Sequence, residues 1–146
     1  MSGPPAHPVI DTHVILRSGD RVLLSQRGSP YGYGRWHMPS GKLDQGEPLT
    51  VGAARELYEE TGVTVAPEHL RLVQVVHHCQ GAGRIGFFFE ATEWEGEPVN
   101  TEPEKCLGLR WFEVDELAGV DLIEYPGAGL LGYLRQGGAL IEHDWT

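Results

Sequence analysis

A chain of 146 residues with 40% hydrophobic and 22% charged side chains can bury one core and has an ordinary globular composition. Its net charge is −10 with no basic run, which excludes a nucleic-acid groove or an anionic membrane as partner, since both require clustered cations. No apolar run reaches membrane-spanning length.

Two lone cysteines, Cys79 and Cys106, match no zinc spacing and suit a reducing cytoplasm. Met1 to Pro8 is short, Pro-rich and not apolar, so it reads as a loose leader rather than a targeting segment. Val9–Leu16 and Arg21–Gln26 are apolar, partly β-branched runs separated by Arg17-Ser18-Gly19-Asp20, which predicts a strand, a turn and a strand. Arg27 follows the second strand and is a candidate phosphate contact. The loop from Gly28 to Gly34 leads to Trp36, and Tyr31, Tyr33 and Trp36 suit either stacking on a base or closing the end of the core.

The stretch from Gly41 to Val63 carries the chemistry. Pro48 suits the start of a helix, Leu49, Ala53 and Leu57 form an apolar stripe, and Gly62 suits the left-handed residue that ends the helix. On that helix Glu56, Glu59 and Glu60 fall at i, i+3 and i+4, so three carboxylates share one arc. Like charges so placed repel, and a hard divalent cation with oxygen ligands turns that cost into a gain. Arg55, four residues before Glu59 and eight after Glu47, can pair with either, tying loop to helix and leaving the other glutamates free.

Farther on, Leu72–His78 and Arg84–Thr92 predict two strands joined by a turn. His77, His78 and Cys79 do not read as a metal site, because neighbours on a strand point to opposite faces. Arg84 could meet a phosphate, though nothing specific in the sequence supports it. An acidic loop from Glu93 to Glu102 precedes a strand at Cys106–Phe112. Asp115-Glu116-Leu117 starts a short helical turn, and Pro126–Gln136 predicts a final helix. There are no repeats and no second domain, so residues 1–146 read as one domain. The order of elements predicts a mixed α/β/α sandwich with helices on both faces of a sheet.

The Gly41–Val63 stretch resembles the signature of the Nudix (MutT-type) hydrolases, G-x₅-E-x₇-R-E-U-x-E-E-x-G-U with U a bulky aliphatic. Gly41, Glu47, Arg55, Glu56, Leu57, Glu59, Glu60, Gly62 and Val63 fill every specified position, a match expected by chance in roughly one window in 10⁹ or fewer. The resemblance implies the Nudix fold, with Gly41, Glu47 and Gly62 structural in the signature loop–helix–loop and Arg55 orienting it. It implies Mg²⁺, with Mn²⁺ as a substitute, held by Glu56, Glu59, Glu60 and the backbone carbonyl of Ser40. It also implies one more carboxylate from outside the signature, Glu102 first and Glu104 second, and a general base that is either Glu59 or Glu102. Many members carry two glycines where this chain has Ser40-Gly41.

The expected reaction is hydrolysis of a phosphoanhydride in a nucleoside diphosphate linked to another group. Marker residues of the ADP-ribose, dinucleoside polyphosphate and NADH subfamilies are missing around His77 to Gly81. The default is therefore a nucleoside triphosphate split to monophosphate and pyrophosphate. The alternatives are an ADP-ribose or sugar-nucleotide pyrophosphatase and, from another class, a nucleotide-binding sensor without turnover. The expected partner is a nucleotide, and a homodimer is compatible with everything the sequence contains.

Overall fold

The structure is a computed structural model and describes residues 3–145. Strand β1 (Val9–Ser18) is its spine. It turns at Gly19-Asp20 into β2 (Arg21–Arg27) and pairs along its length in parallel with β6 (Arg84–Ala91), from Val9↔Arg84 to Leu16↔Ala91. Antiparallel β5 (Arg71–His78) lies beyond β6, and β8 (Leu140–His143) joins β5 in parallel at the edge. On the other side β7 (Cys106–Glu113) pairs antiparallel with β2.

β1 and β2 stay paired only at Arg17↔Val22 and Ser18↔Arg21, then splay. The segment between Trp36 and Lys42 bridges the splay. Its β3 (Trp36–His37) pairs with β2, and its β4 (Ser40–Lys42) pairs with β1.

The two-residue period of β1 sorts its side chains between two cores. Val14 and Leu16 face α1 (Leu49–Thr61), packing with Leu23, Phe89, Ala53, Leu57 and Val63. Ile15 faces α2 (Glu124–Gln136), packing with Val22, Leu24, Phe88, Val76 and Leu130. Helices on opposite faces of a mixed sheet give the α/β/α sandwich that the sequence predicts. Among the described residues, no helix is long and apolar enough to cross a membrane.

Three strands lie where the sequence reading has loop. β3 and β4 are two and three residues long, too short to carry a period, and β8 is a four-residue strand supported on one edge only. Helix α2 begins at Glu124, two residues before the expected Pro126, which falls within its first turn, where the missing N–H costs nothing. Pro48 is the N-cap rather than a helical residue, and α1 starts at Leu49.

Candidate active site

Helix α1 packs by its Ala53–Leu57 stripe and turns its acidic side toward the splay between β1 and β2. It ends at Gly62, whose φ of 74° is the left-handed conformation that glycine adopts freely, with its N–H donating to the Tyr58 carbonyl at 2.8 Å. At the other end of the signature, a Cβ on Gly41 would take the space of the Glu56 carboxyl group, so the glycine lets that carboxyl group lie against β4.

The remaining C-terminal carbonyls of α1 hold the acidic connection. Val99 N–H donates to Thr61 O at 2.9 Å, and the Thr101 hydroxyl donates to Glu59 O. Asn100 then accepts from Glu102 N–H at 3.1 Å and donates to Cys106 O at 2.7 Å, which fixes the turn that carries Glu102. The result is a concavity of about 460 Å³ lined by Glu56, Glu59, Glu60 and Glu102, with Ser40 and Lys105 at its walls.

Arg55 organises this cluster. It holds Glu47 through a bidentate pair, Nε to Oε2 at 2.7 Å and Nη2 to Oε1 at 2.9 Å. Its Nη1 reaches Glu56 at 2.9 Å and Glu59 at 3.2 Å. The sequence reading leaves the other glutamates free of Arg55, and here the structure differs. The planar fork presents donors in several directions and serves Glu47, Glu56 and Glu59 together. These bonds hold the Arg55 guanidinium far above its ordinary value and the Glu47 carboxyl below its own.

Glu60 stands apart from Arg55. It is partly buried and accepts from Ser40 N–H at 3.1 Å. Burial first, then the charges of Glu56 and Glu102, push its carboxyl up to about 9. Glu56 is also raised by burial, partly offset by Arg55. Because the Ser40 N–H points to Glu60 rather than to β1, the carbonyl of this extended residue projects toward the same carboxylates. A partly buried carboxylate with a raised pKa, two carboxylate neighbours and a backbone oxygen form an all-oxygen donor set, and such a set fits a hard divalent cation.

A second concavity of about 360 Å³ opens on the α2 face of the same splay. Odd-numbered β1 residues reach it. Asp11 accepts both nitrogens of Arg84, at 2.7 and 2.8 Å, and the Tyr125 hydroxyl at 3.2 Å. This employs Arg84 inside the fold. His13 stacks on Phe88 with ring centroids 4.2 Å apart, and neither of its nitrogens has a hydrogen-bond partner among the described residues. Burial lowers His13 to about 4 and His37 to about 3, so both rings are neutral at neutral pH. Arg27, His37 and Ser40 line both concavities.

The structure thus brings together Ser40, Glu56, Glu59, Glu60 and Glu102, with Arg27 at the boundary and Gly41, Glu47, Arg55 and Gly62 shaping the support. Arg27 Nε donates to Tyr31 O at 2.6 Å, which leaves the far end of its guanidinium facing the cavities. Neither of the two candidate base contacts lines a concavity. Tyr33 is exposed and lines neither concavity, while Trp36 turns inward onto Phe112, ring centroids 4.9 Å apart. Glu104 is exposed and lines neither. Lys105 and the Asp11–His13–Tyr125 group were not singled out from the sequence. The latter had a signal: Asp11-Thr12-His13 is a polar trio inside an otherwise apolar strand.

Comparison with known proteins finds relatives of one family. The NUDIX domain model matches residues 7–128. An oxidized purine nucleoside triphosphate hydrolase from Danio rerio is 28% identical over 145 residues, covering 90% of each chain. Its counterpart from Mus musculus is 31% identical over 113 residues, 76% of this chain and 70% of that one. Among solved structures, a MutT protein from Bacillus halodurans superposes with a TM-score of 0.71 at 27% identity, covering 94% of this chain and 93% of the other.

Proposed function

This chain belongs to the Nudix family and is a hydrolase, and on that premise we propose that it splits nucleoside triphosphates to monophosphate and pyrophosphate, with oxidised purine nucleotides as preferred substrates. The observation that carries the hydrolytic part is the cluster of Glu56, Glu59, Glu60 and Glu102 around one concavity, braced by Arg55. The substrate preference rests on the relatives, which include an 8-oxo-(d)GTP phosphatase from Mycolicibacterium smegmatis, 39% identical over 95 residues that make up 64% of this chain and 28% of that one.

Glu56, Glu59, Glu60 and the Ser40 carbonyl would hold Mg²⁺, or Mn²⁺ in its place. When bound, such an ion neutralises polyphosphate charge and lowers the pKa of a ligated water. Arg27 and Lys105 supply the positive charge that a chain of net charge −10 otherwise lacks at this site. Glu102 is the better of the two candidate bases. Both oxygens of Glu59 are engaged by Arg55 Nη1, whereas no hydrogen bond ties up the Glu102 side chain among the described residues. Glu102 takes a proton from the attacking water as its oxygen bonds to phosphorus, the α–β anhydride bond opens, and pyrophosphate leaves.

The test is turnover of a nucleotide panel with Mg²⁺, comprising the ordinary (d)NTPs, 8-oxo-dGTP, ADP-ribose and GDP-mannose. Glu60→Gln serves as the matched control. Cation-dependent pyrophosphate release, highest for 8-oxo-dGTP and absent in the variant, is expected. Turnover confined to ADP-ribose or a sugar nucleotide would overturn the substrate, and nucleotide binding without turnover would overturn the enzyme reading.

A further inference from the structure

At the far edge of the sheet, a second group of metal-binding side chains assembles on the α2 face. β5 and β8 run parallel in the register Val76↔Ile141 and His78↔His143. Val76 and Ile141 both contact the α2-side core, so by the strand period His78 and His143 project to that face as well. The inference from adjacent strand residues still holds for His77, which points the other way. The partner of His78 is instead 65 residues distant in sequence.

The two imidazoles meet Nδ1 to Nδ1 at 2.9 Å. Asp144 follows with φ 62°, the only left-handed non-glycine residue among those described, and its Oδ2 lies 3.9 Å from His143 Nδ1. One ligand atom from each of His78, His143 and Asp144 falls within 4.8 Å of the others. The surroundings are those of a built site. The His78 ring stacks on Tyr125 at 4.9 Å and 11°, His143 is mostly buried, and its Nε2 faces Glu124 Oε1 at 3.9 Å. A ligating imidazole commonly has a carboxylate behind its other nitrogen.

We propose that His78, His143 and Asp144 form a second metal site that takes a borderline transition ion of the Zn²⁺ class, separate from the acidic concavity. Two imidazoles and one carboxylate suit Zn²⁺, Co²⁺ or Cu²⁺, whereas Mg²⁺ demands oxygen ligands. Metal–nitrogen bonds of about 2.05 Å at a tetrahedral angle put the nitrogens about 3.3 Å apart, so the pair needs to open by only about 0.4 Å. Water completes the fourth position. The ion would fasten the terminal strand to the sheet and hold His78 against Tyr125, whose hydroxyl orients Asp11 in the second concavity.

The test uses untagged full-length chain, stripped with chelator, carrying Glu56→Gln and Glu60→Gln to silence the acidic concavity. Titration with Co²⁺, followed by its visible absorption, and with Zn²⁺, followed by calorimetry, is expected to give one ion per chain even in excess Mg²⁺. His78→Asn or His143→Asn weakens this binding by about 100-fold or more, and Glu124→Ala by about 10-fold. Binding that is missing, or unchanged by the histidine variants, would overturn the proposal. A readout that does not depend on how those variants fold is electron paramagnetic resonance of the Cu²⁺-loaded parent. Coupling to two imidazole nitrogens is expected, and an oxygen-only spectrum would overturn it.

Discussion

Glu60→Gln should raise the stability of the metal-free protein while abolishing its activity. In the fold, burial and the charges of Glu56 and Glu102 move the Glu60 carboxyl from an ordinary 4.5 to about 9. The folded state therefore holds a proton that the unfolded chain releases. Wild-type stability is fullest below pH 4.5 and falls as pH rises toward 9. At pH 7 the gap from 4.5 is worth about 3 kcal/mol, and it widens until Glu60 ionises near pH 9. Glutamine keeps the shape and the acceptor for Ser40 N–H but takes no part in this proton balance. For a domain of this size about 3 kcal/mol corresponds to roughly 6–12 °C in Tm. The assay is thermal or urea unfolding of both proteins in chelator from pH 5 to pH 9. The wild-type curve should slope down and the variant curve should run flatter and higher. Added Mg²⁺ should lift the wild type by mass action and leave the variant almost unmoved. Equal pH slopes, or a variant less stable than wild type at pH 8, would refute the reasoning.

Three further outcomes follow from the same geometry. Arg55→Lys replaces a fork that reaches Glu47, Glu56 and Glu59 with one point donor, so kcat should fall by about 100-fold while urea unfolding shows a folded protein. Glu102→Gln should lower kcat by about 10²–10⁴-fold, with little change in nucleotide Kd. His13, held neutral by burial at about 4, gives stability that is complete above pH 6.5 and lost as pH falls through 4. His13→Phe should remove most of that acid slope, about 3 kcal/mol between those limits, as read from urea midpoints.

The catalytic stretch was legible because its constraints are local. Helical spacing puts Glu56, Glu59 and Glu60 on one side, and Gly41 and Gly62 answer to a close approach and a left-handed turn that no other residue meets as cheaply. The sheet was legible wherever strands exceed six residues, as in β1, β5 and β6. It was not legible between Trp36 and Lys42, where β3 and β4 are too short for alternation to show. Trp36 illustrates a different gap. An aromatic residue beside a glycine loop suits either a ligand or the core, and only the three-dimensional position of Phe112 decides for the core. The Asp11–Arg84 pair spans 73 residues and His78–His143 spans 65, distances over which sequence carries no pairing information.

The splay between β1 and β2 separates two properties that evolution or engineering would otherwise change together. The carboxylate cluster is anchored on α1 and on the turn that follows Asn100, both docked to the body of the sheet. The mouth is bordered by Arg27 and Tyr31, in the loop that connects β2 to β3. Lengthening or exchanging that loop alters which group can enter, while the spacing of the reactive oxygens stays as it is. New specificities on this scaffold are therefore sought by grafting residues 28–34 with the Tyr31 carbonyl kept in place for Arg27, and the carboxylate cluster left untouched.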